Sequence, residues 1–96
     1  MLLENNKKYT RKIRALAKRQ RAVNAERLGT QCDLKAVARE EASISAAAMR
    51  ISDEFAAELL AAGAERDGIA ISATLLVWED VDEENDKFIQ KALKND

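Results

Sequence analysis

"IAISATLLVW", residues 69 to 78, is the stretch whose reading decides the fold. Its alternation places Ile69, Ile71, Ala73, Leu75 and Val77 on one side of an extended chain, and its β-branched and aromatic content fits a strand. A lone strand leaves its backbone N–H and C=O groups open on both edges and needs a partner strand from another chain. The competing reading is a buried helix that starts near Gly68 or Ser72. The helix is the favoured expectation and the strand is the open alternative. The expected fold class is therefore all-α: a small helical bundle or a helical hairpin with one long central helix.

Composition leads the same way. The chain has 96 residues, no proline and three glycines, at positions 29, 63 and 68, while Ala, Glu, Lys, Arg and Leu dominate, a balance that favours helix over strand. One domain with one core is all this length allows. Eighteen of the 45 hydrophobic residues are alanine, so the burial of large side chains is modest and a partner or second copy is a natural way to complete the core.

Upstream of the deciding stretch, Thr30-Gln31-Cys32-Asp33 reads as a capping box. After it, apolar residues recur at Leu34, Val37, Ala38, Ile44, Ala48, Ile51, Phe55, Leu59 and Ala62, a helical period interrupted by Glu41. This predicts one long helix over about residues 31–62, or two with a break at Ser52-Asp53. Val37, Ile44, Ile51, Phe55 and Leu59 are its candidate protein-docking residues, and the expectation is that polar substitution of Ile51 and Phe55 abolishes assembly. The stretch from Leu34 to Ser52 bears a faint likeness to a helix-turn-helix, but Ala42 stands where the turn needs glycine and Ser43 where it needs an apolar residue. A continuous helix explains the same residues more simply.

The first helix, residues 7 to 28, is the most polarised part of the chain. On a wheel of about 100° per residue, Tyr9, Ile13, Leu16, Ala17, Gln20, Val23 and Asn24 form one stripe, with Arg27 its only cation. Lys7, Lys8, Arg11, Lys12, Arg14, Lys18, Arg19 and Arg21 occupy the remaining arc, and residues 7 to 21 contain no carboxylate. Gly29 is placed to end the helix as a positive-φ residue. At the other end of the chain, "VDEENDKFIQKALK" reads as a separate helix from about Asp82, acidic early and basic late, as the helix dipole prefers.

Much chemistry is absent from the composition. There is no histidine and only one cysteine, Cys32, so a structural zinc site and the commonest general base are both missing. Residues 80 to 91 imitate a calcium loop superficially but carry Asn85 where glycine belongs and Lys91 where a bidentate glutamate belongs. No phosphate-binding glycine loop or nucleophile motif occurs. The expectation is a protein without catalytic activity, metal, cofactor or small-molecule substrate, with no membrane association and a cytoplasmic location.

What remains is charge. Residues 1–39 hold 11 cations and three anions, while residues 40–96 hold five cations and 14 anions, although the whole chain is at −1. Neighbouring like charges on the first helix repel by about 0.2–0.5 kcal/mol per pair, so an opposite charge is needed somewhere. One candidate is nucleic acid held through its phosphates, which at about five contacts gives a log–log salt slope of about −4 to −5. Another is an acidic protein surface, in this chain, in a homo-oligomer or on a larger nucleic-acid-handling assembly. A third reading makes the acidic stretch Glu79, Asp80, Asp82, Glu83, Glu84 and Asp86, expected to be solvated, an imitation of a phosphate track in an inhibitor of phage type. The leading expectation is a binding or inhibitor protein that docks on such an assembly through its basic helix face. An oligomeric scaffold protein is a further alternative.

Overall fold

The computed structural model describes residues 6–29 and 31–94. They form three helices, α1 (Lys7–Leu28), α2 (Leu34–Ala61) and α3 (Ile69–Lys94), and no strand occurs among the described residues. Residues 69 to 78 are the first part of α3, so the backbone groups that a lone strand would leave open are bonded within the helix. The helix expected to begin at Asp82 is not separate. Nothing between Trp78 and Asp82 breaks a helix, and α3 runs through without interruption.

The long helix is also continuous across Ser52-Asp53. Ser52 is buried, and its hydroxyl donates to the Ala48 carbonyl at 2.9 Å, which satisfies it inside the helix. An unbroken α2 leaves no turn at residues 43 to 45 for a helix-turn-helix.

The ends of the helices show how local chemistry sets their boundaries. Asn6 Oδ1 accepts from the Lys8 N–H at 3.1 Å and caps α1. Asp33 caps α2 by accepting from the Lys35 and Ala36 N–H groups at 3.1 and 3.2 Å. Thr30, the other half of the expected capping box, lies outside the described residues, and α2 starts after Asp33 instead of near residue 31. Gly29 departs from expectation: its φ of −73° is extended backbone, open to any residue. The positive-φ terminator is Gly63 at 98°. There the N–H of Ala64 donates to Leu59 O at 2.9 Å and that of Gly63 to Leu60 O at 3.1 Å, the pair of bonds that defines a Schellman end.

Side-chain partners fix the topology. Along α1, Lys8, Lys12 and Arg19 meet Glu58, Glu54 and Glu40 of α2, so these helices are antiparallel. Arg14 and Arg21 meet Glu84 and Asn85 of α3, so α3 runs alongside α1 in the same direction. The bundle is up-down-up.

Its core draws on the stripes read from helical periodicity in α1 and α2, although Leu34, Ala38 and Ala62 are exposed, and adds a stripe of α3 not identified from sequence. Tyr9, Ile13, Leu16, Ala17 and Val23 come from α1, Val37, Ile44, Ala48, Ile51 and Phe55 from α2, and Ala73, Val77 and Val81 from α3. Tyr9 meets Phe55 edge to face, with centroids 5.8 Å apart. Each buried Val, Ile, Leu or Phe side chain contributes about 1.5–3 kcal/mol. Of the docking residues named from sequence, Val37, Ile44, Ile51 and Phe55 are buried in the chain's own core, and Leu59 packs partly buried against it. A stripe of that spacing was available for a partner only while the position of the other two helices was unknown.

Candidate polyanion-binding face

The first helix carries its cations on three sides, and each side has a different fate. Toward α2, Lys8 pairs with Glu58, Lys12 Nζ lies 2.8 Å from Glu54 Oε2, and Arg27 pairs with Glu41. Arg19 donates to Glu40 Oε1 at 2.8 Å and to Ser43 Oγ at 2.8 Å. Toward α3, Arg14 Nε sits 3.5 Å from Glu84 Oε1. Arg21 donates to Asn85 Oδ1 at 2.8 Å while its guanidinium lies 4.1 Å from the Phe88 ring centroid, a cation–π contact.

Outward, Lys7, Arg11 and Lys18 are exposed and form no ion pair among the described residues. Arg14 joins them, because its side chain is 63% exposed and its partner is at the long end of the pairing range. The intervals from Lys7 to Arg11, Arg14 and Lys18 are four, three and four residues, the spacing that keeps side chains on one helix face. At about 1.5 Å per residue the ridge is about 16 Å long. Of the eight cations singled out from sequence, Lys8, Lys12, Arg19 and Arg21 are thus held by α2 and α3, Lys7, Arg11 and Lys18 face solvent, and Arg14 does both, 63% exposed while paired with Glu84.

The inward pairs also shift protonation. The hydrogen bond and charge of Lys8 hold Glu58 below the ordinary carboxylate range, and Lys12 does the same for Glu54. The Glu58 carboxylate in turn raises the Lys8 ammonium. Tyr9, buried beneath them, is pushed up to about 12, by burial first and then by the nearby Glu58 and Glu54 carboxylates. Its hydroxyl lies close enough to the Glu58 carboxylate for each to shift the other.

The acidic stretch does not behave as a unit. Asp80 is fully buried among core residues, which corrects the expectation that it is solvated. It falls three residues after Val77 and next to Val81, on the inward stripe of α3, and that spacing was the signal for its burial. Glu84 faces Arg14, and Glu83 is 3.8 Å from Lys87 one turn on. Glu79, Asp82 and Asp86 are exposed.

Among the described residues, no group of three or more His, Cys, Asp or Glu side chains is placed to hold a metal ion. No helix among them is long and apolar enough to cross a membrane. No family model, curated protein or solved structure matches the chain.

Proposed function

We propose that this protein is a binding protein for nucleic-acid phosphates, or for an assembly that displays them, and that the contact is the outward ridge of α1. The observation that carries this reading is the segregation of charge on that helix. Lys7, Arg11 and Lys18 have no ion pair among the described residues, and Arg14 is mostly exposed beside them. Four like charges on one face repel one another, and a row of phosphates relieves that repulsion while releasing condensed counterions. Contacts to phosphates position a protein without reading bases, so the binding is expected to be independent of sequence.

The expected stoichiometry is smaller than a count of cations suggests. With three or four phosphates engaged, affinity for duplex DNA falls with salt with a log–log slope of about −3. The test is fluorescence anisotropy with a labelled 20-base-pair duplex, comparing the wild type with a Lys7→Gln/Arg11→Gln/Lys18→Gln variant. Loss of most of the affinity in the variant supports the ridge. Unchanged affinity would mean that the duplex is held elsewhere or that the ridge serves an acidic protein.

The acidic stretch as an imitation of a phosphate track has less support, because Asp80 is inside the core and Glu84 is paired with Arg14.

A further inference from the structure

The third helix has a second apolar stripe that none of the described residues covers. Ile71, Leu75, Ile89 and Leu93 are 70%, 59%, 51% and 63% exposed, and the half-buried Trp78 lies in line with them. Asp82 and Asp86, both exposed, complete the row. The intervals along Ile71, Leu75, Trp78, Asp82, Asp86, Ile89 and Leu93 are four, three, four, four, three and four residues. This is one straight face of a helix, apolar at both ends and acidic in the middle.

The outward face of α1 has the same rhythm. From Lys7 through Arg11, Arg14, Lys18 and Ala22 to Ala25 the intervals are four, three, four, four and three residues, one face of the helix. Its first half is cationic, and its second half is small and apolar, with Leu28 beside it 87% exposed. Laid antiparallel in one register, Asp82 meets Lys18 and Asp86 meets Arg14. In that register Leu75 and Trp78 fall opposite Ala25 and Ala22, large against small, and Ile71 reaches Leu28. The other two apolar residues, Ile89 and Leu93, lie along the aliphatic stems of Arg11 and Lys7, which suit apolar surface.

We infer that the occupant of the α3 stripe is a second copy of this chain, which docks the outward face of its α1 antiparallel on that stripe. Charge complementarity argues for it, and a shift of one residue in either helix removes the pairing of Asp82 with Lys18 and of Asp86 with Arg14. The contact joins two different faces, so it is heterologous. It uses the ridge assigned above to phosphates, and a polyanion is expected to compete with it, but it does not depend on that assignment.

Sedimentation velocity from about 5 to 200 μM, without nucleic acid, tests the inference. The wild type is expected to self-associate with rising concentration, and Asp82→Lys/Asp86→Lys is expected to stay monomeric with an unchanged helical circular dichroism spectrum. Adding Arg14→Glu/Lys18→Glu to that variant restores opposite charges and is expected to restore association. Leu75→Gln, whose side chain is outside the core, provides a second disrupting variant should the charge reversal unfold the chain. A wild type that is monomeric throughout would overturn the inference and leave the stripe to a different protein. Association that survives both the charge reversal and Leu75→Gln would overturn it as well.

Discussion

Tyr9 links the two halves of the charge pattern in one side chain. It lies under the Lys8–Glu58 pair and against Phe55, and burial with two nearby carboxylates pushes its hydroxyl up to about 12. It is the only tyrosine, so absorbance at 295 nm follows it alone. The expected midpoint is near 12 in the folded protein, and near the ordinary 10 in denaturing urea. The sign for stability follows: a raised pKa contributes stability below pH 10 that is lost as pH climbs toward 12. A native midpoint near 10 would show that the hydroxyl is open to water. Tyr9 could be assigned to the core from its place on the apolar stripe. Its titration could not be, because Glu54 and Glu58 lie more than 40 residues away in the chain and only the α1–α2 register brings them near.

Helices were legible wherever period and punctuation agreed, and less so where a single residue had to be assigned a geometry. The buried apolar positions of α1 and α2 lie on the stripes read from spacing, while Leu34, Ala38 and Ala62 on the same α2 stripe are exposed. The role of Gly29 did not, since a glycine after a helix suits either an extended exit or a positive-φ one, and the two exits look the same in sequence. The structure separates them, and stability measurements can check it. Gly63→Ala is expected to cost about 1–2 kcal/mol, because its φ of 98° disfavours any side chain although the surrounding space is open. Gly29→Ala is expected to change stability by less than about 1 kcal/mol, since its φ is ordinary and its new Cβ would only press on Glu26 O at 3.2 Å. Urea unfolding followed by fluorescence of Trp78, the only tryptophan, gives both values. Equal costs at the two sites would contradict the assignment. In α2, Ile44→Ala is expected to lose about 2–4 kcal/mol in the same assay, because this side chain is completely enclosed.

At the scale of the whole molecule, near-neutrality conceals a division of labour. Two flanks of α1 spend their charge on α2 and α3, and one ridge keeps it. Sequence showed the amount and the sidedness of the charge, but not which cations were already matched, because that depends on how the helices pack. The same packing hid Asp80 in the core and turned the expected docking stripe of α2 inward. Exposed ion pairs contribute little each to stability, so the inward pairs act chiefly by fixing register and neutralising charge. Their pH dependence has a definite sign. Glu54 and Glu58 are held below the ordinary 4.5, so their contribution is complete above that value and fades as pH falls through the lowered ones. Urea midpoints between pH 6 and 3 are expected to decline at the acid end, and less so in a Lys8→Gln/Lys12→Gln variant. An equal decline in that variant would remove these two pairs from the acid response.

The salt dependence of duplex binding bears most directly on the claim that, of the eight α1 cations singled out from sequence, the outward four make the contact. Three or four phosphate contacts give a log–log slope of about −3, or about a 60-fold loss of affinity between 50 and 200 mM salt, whereas eight free cations would give about −7. A slope near −3 that drops toward zero on substitution of Lys7, Arg11 and Lys18 is the expected result. A flat response in the wild type, or a slope near −7, would contradict the account.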